Sequence, residues 1–152
     1  MDLAPVVDLM PDKTTNVDWN TRIATRSISR DPAVVATIAG AFARGLLDAG
    51  ITPTAKHFPG LSWVAVDTHL FGASLDAAES ELQAADWLPF RAVLGIPGAA
   101  IMLSHVALSA ADAGIPVSQS KRVVSGLLRG QWGFDGVAIT DMPASAARSR
   151  ER

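Results

Sequence analysis

Residues Gly50 to His69 read GITPTAKHFPGLSWVAVDTH, and the order of residue types in this stretch decides the architecture. Gly50 closes an apolar helical run, and the residues up to Ala55 read as a short strand, so Lys56 and His57 are expected where that strand opens into a loop. Phe58-Pro59-Gly60 is a turn signal that reverses the chain. Asp67 and His69 then stand two residues apart, a spacing at which a carboxylate can orient the neighbouring imidazole and stabilise its protonated form. Polar groups at this density are not there for packing, and the Asp67–His69 pair has the chemistry of a proton-transfer device.

Working outward, Ala4 to Leu9 is an apolar run suited to a buried parallel strand, and residues 11–30 form a long polar loop. Asp31 followed by Pro32 is a helix N-cap with proline at the first helical position, and the run Ala33 to Ala49 ends at Gly50. Asp76, with Glu79 three residues on, starts a second helix that runs to about Leu94. Ala99 to Leu103 is another strand, Ser118 opens a third helix reaching about Trp132, and Gly136 to Thr140 is the last strand, ending at Asp141. Strands alternating with helices predict an α/β fold with a parallel sheet. A complete (β/α)8 barrel needs roughly 250 residues, so 152 residues predict a partial TIM-type barrel. Its domain is expected over residues 1–142, with a small, polar, basic and disordered tail at 143–152. Catalytic groups in such barrels sit at the C-terminal strand ends, which places Lys56, His57, His105 and Asp141 around one mouth.

Net charge is −2 with acidic and basic residues interspersed, so there is no electrostatic footprint for nucleic acid or an anionic membrane. No apolar run approaches the length of a membrane span, and the N-terminus has no basic region followed by an apolar core; as written, the chain reads as cytoplasmic. With no cysteine, disulfides and thiolate metal sites are excluded. Three histidines and nearby aspartates raise a mixed nitrogen–oxygen metal site, but no His-x-His or His-x-x-x-His spacing occurs, and neither metal nor cofactor is expected. Without further information Asp141 is either a nucleophile or a loop-capping carboxylate, His69 either an acid/base or a solvated loop residue, and Lys56 pairs with Asp8 or Asp141.

Five ordered segments carry a family resemblance. Lys56-His57-Phe58-Pro59-Gly60 with the Asp67-Thr68-His69 loop resembles the KHFPGHG and Asp-Ser-His signature of glycoside hydrolase family 3, in its bacterial β-N-acetylglucosaminidase branch. Ala4-Pro5-Val6-Val7-Asp8 resembles that family's APVLD strand, and the segment from Thr25 to Pro32 its DRSFG-x-DP segment. Ile101 to Val106 is similar to IMTAHV, and Gly133 to Asp141 to GFDGVIFSD. The resemblance implies about the third to sixth strands of the family barrel, with no cofactor, and retaining hydrolysis of terminal β-linked N-acetylglucosamine, as in cell-wall muropeptide turnover. It gives Asp141 the nucleophile position, His69 the acid/base position with Asp67 as its partner, and Arg26, Lys56 and His57 the positions that hold sugar hydroxyls.

The chain departs from the family pattern at Leu61-Ser62-Trp63, where the family has a polar His and a permissive Gly, and at Met142, where it has a second Asp. The family's early strand with an Asp-x-Glu-Gly-Gly-Arg motif is expected upstream of Met1. Three rival readings follow: a truncated, inactive remnant, a β-glucosidase, and a phosphorylase of the same family. Open sheet edges also offer a route to self-association. Because the family includes exported, lipid-anchored members, the parent enzyme need not share the cytoplasmic reading.

Overall fold

Four chain segments run parallel, side by side, in the computed structural model, which describes residues 1–11, 22–64 and 72–141. Three are the strands β1 (Thr54–Phe58), β3 (Ala100–Leu103) and β5 (Ala138–Thr140), in the order β1-β3-β5. The fourth is the segment from Asp2 to Val7, bridged to β1 at Asp2–Pro53 and Val6–Lys56. Pro5 within it has no N–H to give a ladder, so the continuous strand predicted over Ala4 to Leu9 is reduced to these bridges. A smaller parallel pair, β2 (Ser74–Leu75) and β4 (Ala107–Leu108), has no counterpart in the sequence reading.

The strand predicted to end at Ala55 continues to Phe58, so Lys56 and His57 lie inside β1. Pairing on both sides, with Val7 N–H donating to Lys56 O at 2.8 Å and Ser104 N–H to Phe58 O at 2.9 Å, outweighs the local turn signal. Ala55 pairs with Ile101 but Phe58 with Leu103, so β1 carries one extra residue across Lys56 and His57. Such a bulge re-aims the side chains it contains.

Helices connect the strands. α1 (Ile23–Arg26) precedes α2 (Pro32–Asp48), which is capped as its sequence predicts. Asp31 Oδ1 accepts from Ala33 N–H at 2.8 Å, and at the other end Gly50 and Ile51 N–H donate to Leu47 and Leu46 carbonyls at 2.8 Å each. The second predicted helix is two, α3 (Glu79–Ala84) and α4 (Trp87–Leu94), interrupted at Ala85 and Asp86. It begins at Glu79 because Glu81, not Asp76, closes its first turn, accepting from Ala78 N–H at 2.8 Å; Asp76 accepts instead from Ser109 Oγ at the start of α5 (Ser109–Asp112). The last helix, α6 (Arg122–Gln131), is wound in wide π-type turns. It starts later than Ser118 because Ser120 Oγ accepts from Val123 N–H at 3.2 Å.

The core lies between sheet and helices. Val35, Ala39 and Ala43 bury one face of α2, and Trp87, Phe90 and Val93 one face of α4. At the end of β1, Phe58 meets Trp87, Phe90 and Trp132 with ring centroids 5.3–5.9 Å apart. Gly136 lets the approach to β5 pass the sheet, since a Cβ there would come within 2.4 Å of the Ala99 carbonyl. This is an α/β fold, a partial (β/α)8 barrel.

Candidate active site

Three of the six predicted site residues, Lys56, Arg26 and Asp141, share one electrostatic neighbourhood, and His57 follows Lys56 in β1. Lys56 lies half-buried in β1. Burial and then the Arg26 guanidinium hold its ammonium below the ordinary lysine range, while the carboxylates of Asp141, Asp8 and Asp2 push the other way. Arg26 and Asp141 therefore both act on Lys56, one arriving from α1 and the other from the end of β5. Asp67 and His69 lie outside the described residues, as does the tail from residue 143.

His57 is buried, 4 % exposed, and its Nδ1 stands 2.7 Å from Asp8 Oδ2. Asp8, fully buried, makes three such contacts. Oδ2 also accepts from the His57 backbone N–H at 3.0 Å, and Oδ1 from Leu61 N–H at 2.9 Å. A carboxylate only accepts, so the ring proton sits on Nδ1 and Nε2 remains as the polar atom His57 can offer elsewhere. Of the two partners predicted for Lys56, Asp8 is thus spent on His57 and the turn, although its charge still reaches the lysine. Gly60, at φ +110°, completes that turn with N–H donating to His57 O at 2.9 Å.

Asp141 is fixed through its backbone. Its N–H donates to Leu103 O at 2.9 Å, and His105 Nε2 donates to its carbonyl at 3.0 Å. Donation from Nε2 leaves Nδ1 of a neutral ring to accept from Ser118 Oγ, 3.0 Å away. His105 therefore positions the main chain under Asp141, a role the sequence did not assign.

Beside the mouth, Asp86 is a carboxylate the sequence reading passed over. It is 2 % exposed at the α3–α4 break and accepts from Ser62 Oγ and from Trp63 Nε1, the latter at 2.8 Å. Burial lifts its carboxyl above the ordinary range against the pull of these two hydrogen bonds. The available signal was an acid among the apolar residues of Ala84-Ala85-Asp86-Trp87-Leu88. Among the described residues no cluster of three or more His, Cys, Asp or Glu could hold a metal ion, and no helix is long and apolar enough to cross a membrane.

Similarity to known proteins follows the same lines. A β-hexosaminidase of Stenotrophomonas maltophilia is 38% identical over 147 residues, which are 97% of this chain and 42% of that protein. The chain thus spans under half the length of the relatives it matches. The structure of a glycoside hydrolase family 3 β-N-acetylglucosaminidase from Paenibacillus superposes with TM-score 0.86 at 31% identity, over 98% of this chain and 28% of the other. Native NagZ from Neisseria gonorrhoeae matches with TM-score 0.78 at 34% identity, over 92% of this chain and 39% of the other. The family model described as the glycosyl hydrolase family 3 N-terminal domain matches residues 1–150, and the chain belongs to that family.

Proposed function

We propose that this chain carries the nucleophile, the acid/base pair and part of the sugar-holding set of a retaining β-N-acetylhexosaminidase acting on terminal β-linked N-acetylglucosamine, such as that of cell-wall muropeptides. The observation that carries the reading is the gathering of the Asp141 carboxylate with Lys56 and Arg26 at the C-terminal strand ends. The names of the relatives, β-hexosaminidase and β-N-acetylglucosaminidase, support the sugar. In the first step Asp141 attacks the anomeric carbon while protonated His69 gives its proton to the departing glycosidic oxygen. In the second, His69 takes a proton from the water that attacks the same carbon, and Asp141 leaves. Asp67 orients the His69 ring and favours its charged form. Lys56, Arg26 and the Nε2 edge of His57 hold sugar hydroxyls.

Because the chain spans 42% of its relatives' length, turnover is proposed for this half working with the remainder of a barrel. The test is hydrolysis of a chromogenic β-N-acetylglucosaminide against the matching β-glucoside, by the chain alone and with the missing strands supplied. Asp141→Asn is expected to abolish the covalent intermediate seen by mass spectrometry. His69→Ala should slow substrates with poor leaving groups by about 10²–10⁴-fold and spare the first step with a good one. Turnover of the glucoside alone would sink the sugar assignment, and adduct formation by Asp141→Asn would remove the nucleophile.

A further inference from the structure

Two buried acids grip the turn that follows His57. Asp8 takes the Leu61 N–H on Oδ1 while its Oδ2 holds the His57 ring. Asp86, at the α3–α4 break, takes the Ser62 hydroxyl on Oδ1 and the Trp63 indole N–H on Oδ2, the latter at 2.8 Å. The next residue adds to the grip, since Trp87 Nε1 donates to Pro59 O at 3.2 Å. At Gly60 the approach is tight: a Cβ there would stand 3.2 Å from both Cβ and Oδ1 of Asp86. Residues 59–63 are thus each fastened, Pro59 by Trp87, Gly60 by the His57 carbonyl, Leu61 by Asp8, and Ser62 and Trp63 by Asp86. Trp63 is 55 % exposed, so packing alone does not hold its ring. Burial and the charge of Asp8 both disfavour an ionised carboxyl at position 86, and an apolar side chain would fill the break at less cost. What Asp86 supplies in return is direction, two bonds that set the conformation of the turn.

We infer that Asp86 is a positioning residue for the candidate site: by holding Ser62 and Trp63 it fixes the turn that Asp8 ties to His57, and so sets where Nε2 of that imidazole points. The path between the two acids is short. Ser62 is bonded to Leu61, and a displaced Leu61 N–H turns the Asp8 carboxylate, whose other oxygen holds both the His57 N–H and Nδ1. The inference rests on the proposed glycosidase reading only for what Nε2 contacts; the coupling of Asp86 to the ring is a property of the turn itself. Ser62 and Trp63 also stand where the chain departs from the family loop, so both donors to Asp86 are this chain's own.

The test follows the ring nitrogens of His57 by ¹⁵N NMR, assigned by their loss in His57→Gln. The proteins compared are the wild type, Asp86→Asn, Asp86→Ala and the double variant Ser62→Ala with Trp63→Phe. Calorimetry with N-acetylglucosamine, the missing strands being supplied, is the second readout. Asp86→Asn keeps an oxygen for the indole and offers an amide to the Ser62 hydroxyl, so it should leave the His57 signals and the affinity close to wild type. Asp86→Ala and the double variant should both move the signals and weaken sugar binding about tenfold, the order of one lost hydrogen bond. The double variant alters only side chains outside the core, so it gives an answer even where Asp86→Ala does not fold. His57 signals that stay in place in the double variant overturn the inference, and so does an equal shift in Asp86→Asn, which would trace the effect to charge. Shifted signals in proteins none of which binds the sugar uphold the coupling and count against the glycosidase reading instead.

Discussion

Asp86 shows how one residue can set a pH response. Its carboxyl is buried and its protonation is favoured in the folded chain, because burial penalises the charged form more than Ser62 and Trp63 relieve it. The stability it contributes is complete below the unfolded carboxylate value of 3.8 and is lost as pH rises through the higher folded value. Asp86→Asn should therefore flatten the fall in stability over that window. Comparing urea midpoints of wild type and variant across the acid range checks this; a difference that does not change with pH would contradict it. The sequence points to Lys56, His57 and Asp141 because each sits in a short motif. Asp8's hold on Leu61, 53 positions away, and Asp86's on Trp63, 23 positions away, join residues that no local pattern relates.

Among elements, β1 carries both the candidate residues Lys56 and His57 and the support beneath them. Phe58 ends the strand that holds Lys56 and His57, and its ring meets three other aromatic rings, two of which, Trp87 and Trp132, also touch one another at 5.3 Å. Phe58→Ala should lower stability by about 3–5 kcal/mol, since it removes a fully buried ring and leaves a cavity under the strand end. Denaturant unfolding at fixed chain concentration measures it, and a loss under about 1 kcal/mol would mean that the cluster closes over the gap. Sequence reading succeeded for α2, whose start and stop are local chemistry at Asp31 and Gly50. It misjudged β1, whose last residues are held by pairing with distant segments, and the second helix, whose break places Asp86 under Ser62 and Trp63. The wide turns of α6 have no signature in its residues.

At the scale of the molecule, the described sheet has two outer edges, the Asp2–Val7 segment and β5. On its outer face α2 turns Val34, Ile38 and Phe42 to solvent at four-residue spacing, each 41–48 % exposed. Parallel sheets are ordinarily covered on their faces and closed or shielded at their edges, so a preparation of these 152 residues should self-associate. Replacing Ile38 and Phe42 together by Glu should shift sedimentation or light scattering toward the monomer, whereas a monodisperse monomer before substitution would contradict the expectation. The three contacts of Asp8 give that edge a further significance. They fasten His57 and the turn behind it to the outermost segment, not to the middle of the sheet. The orientation of the His57 imidazole is thereby coupled to the seating of an edge segment: any shift of the chain at Asp8 reaches the ring and the turn together.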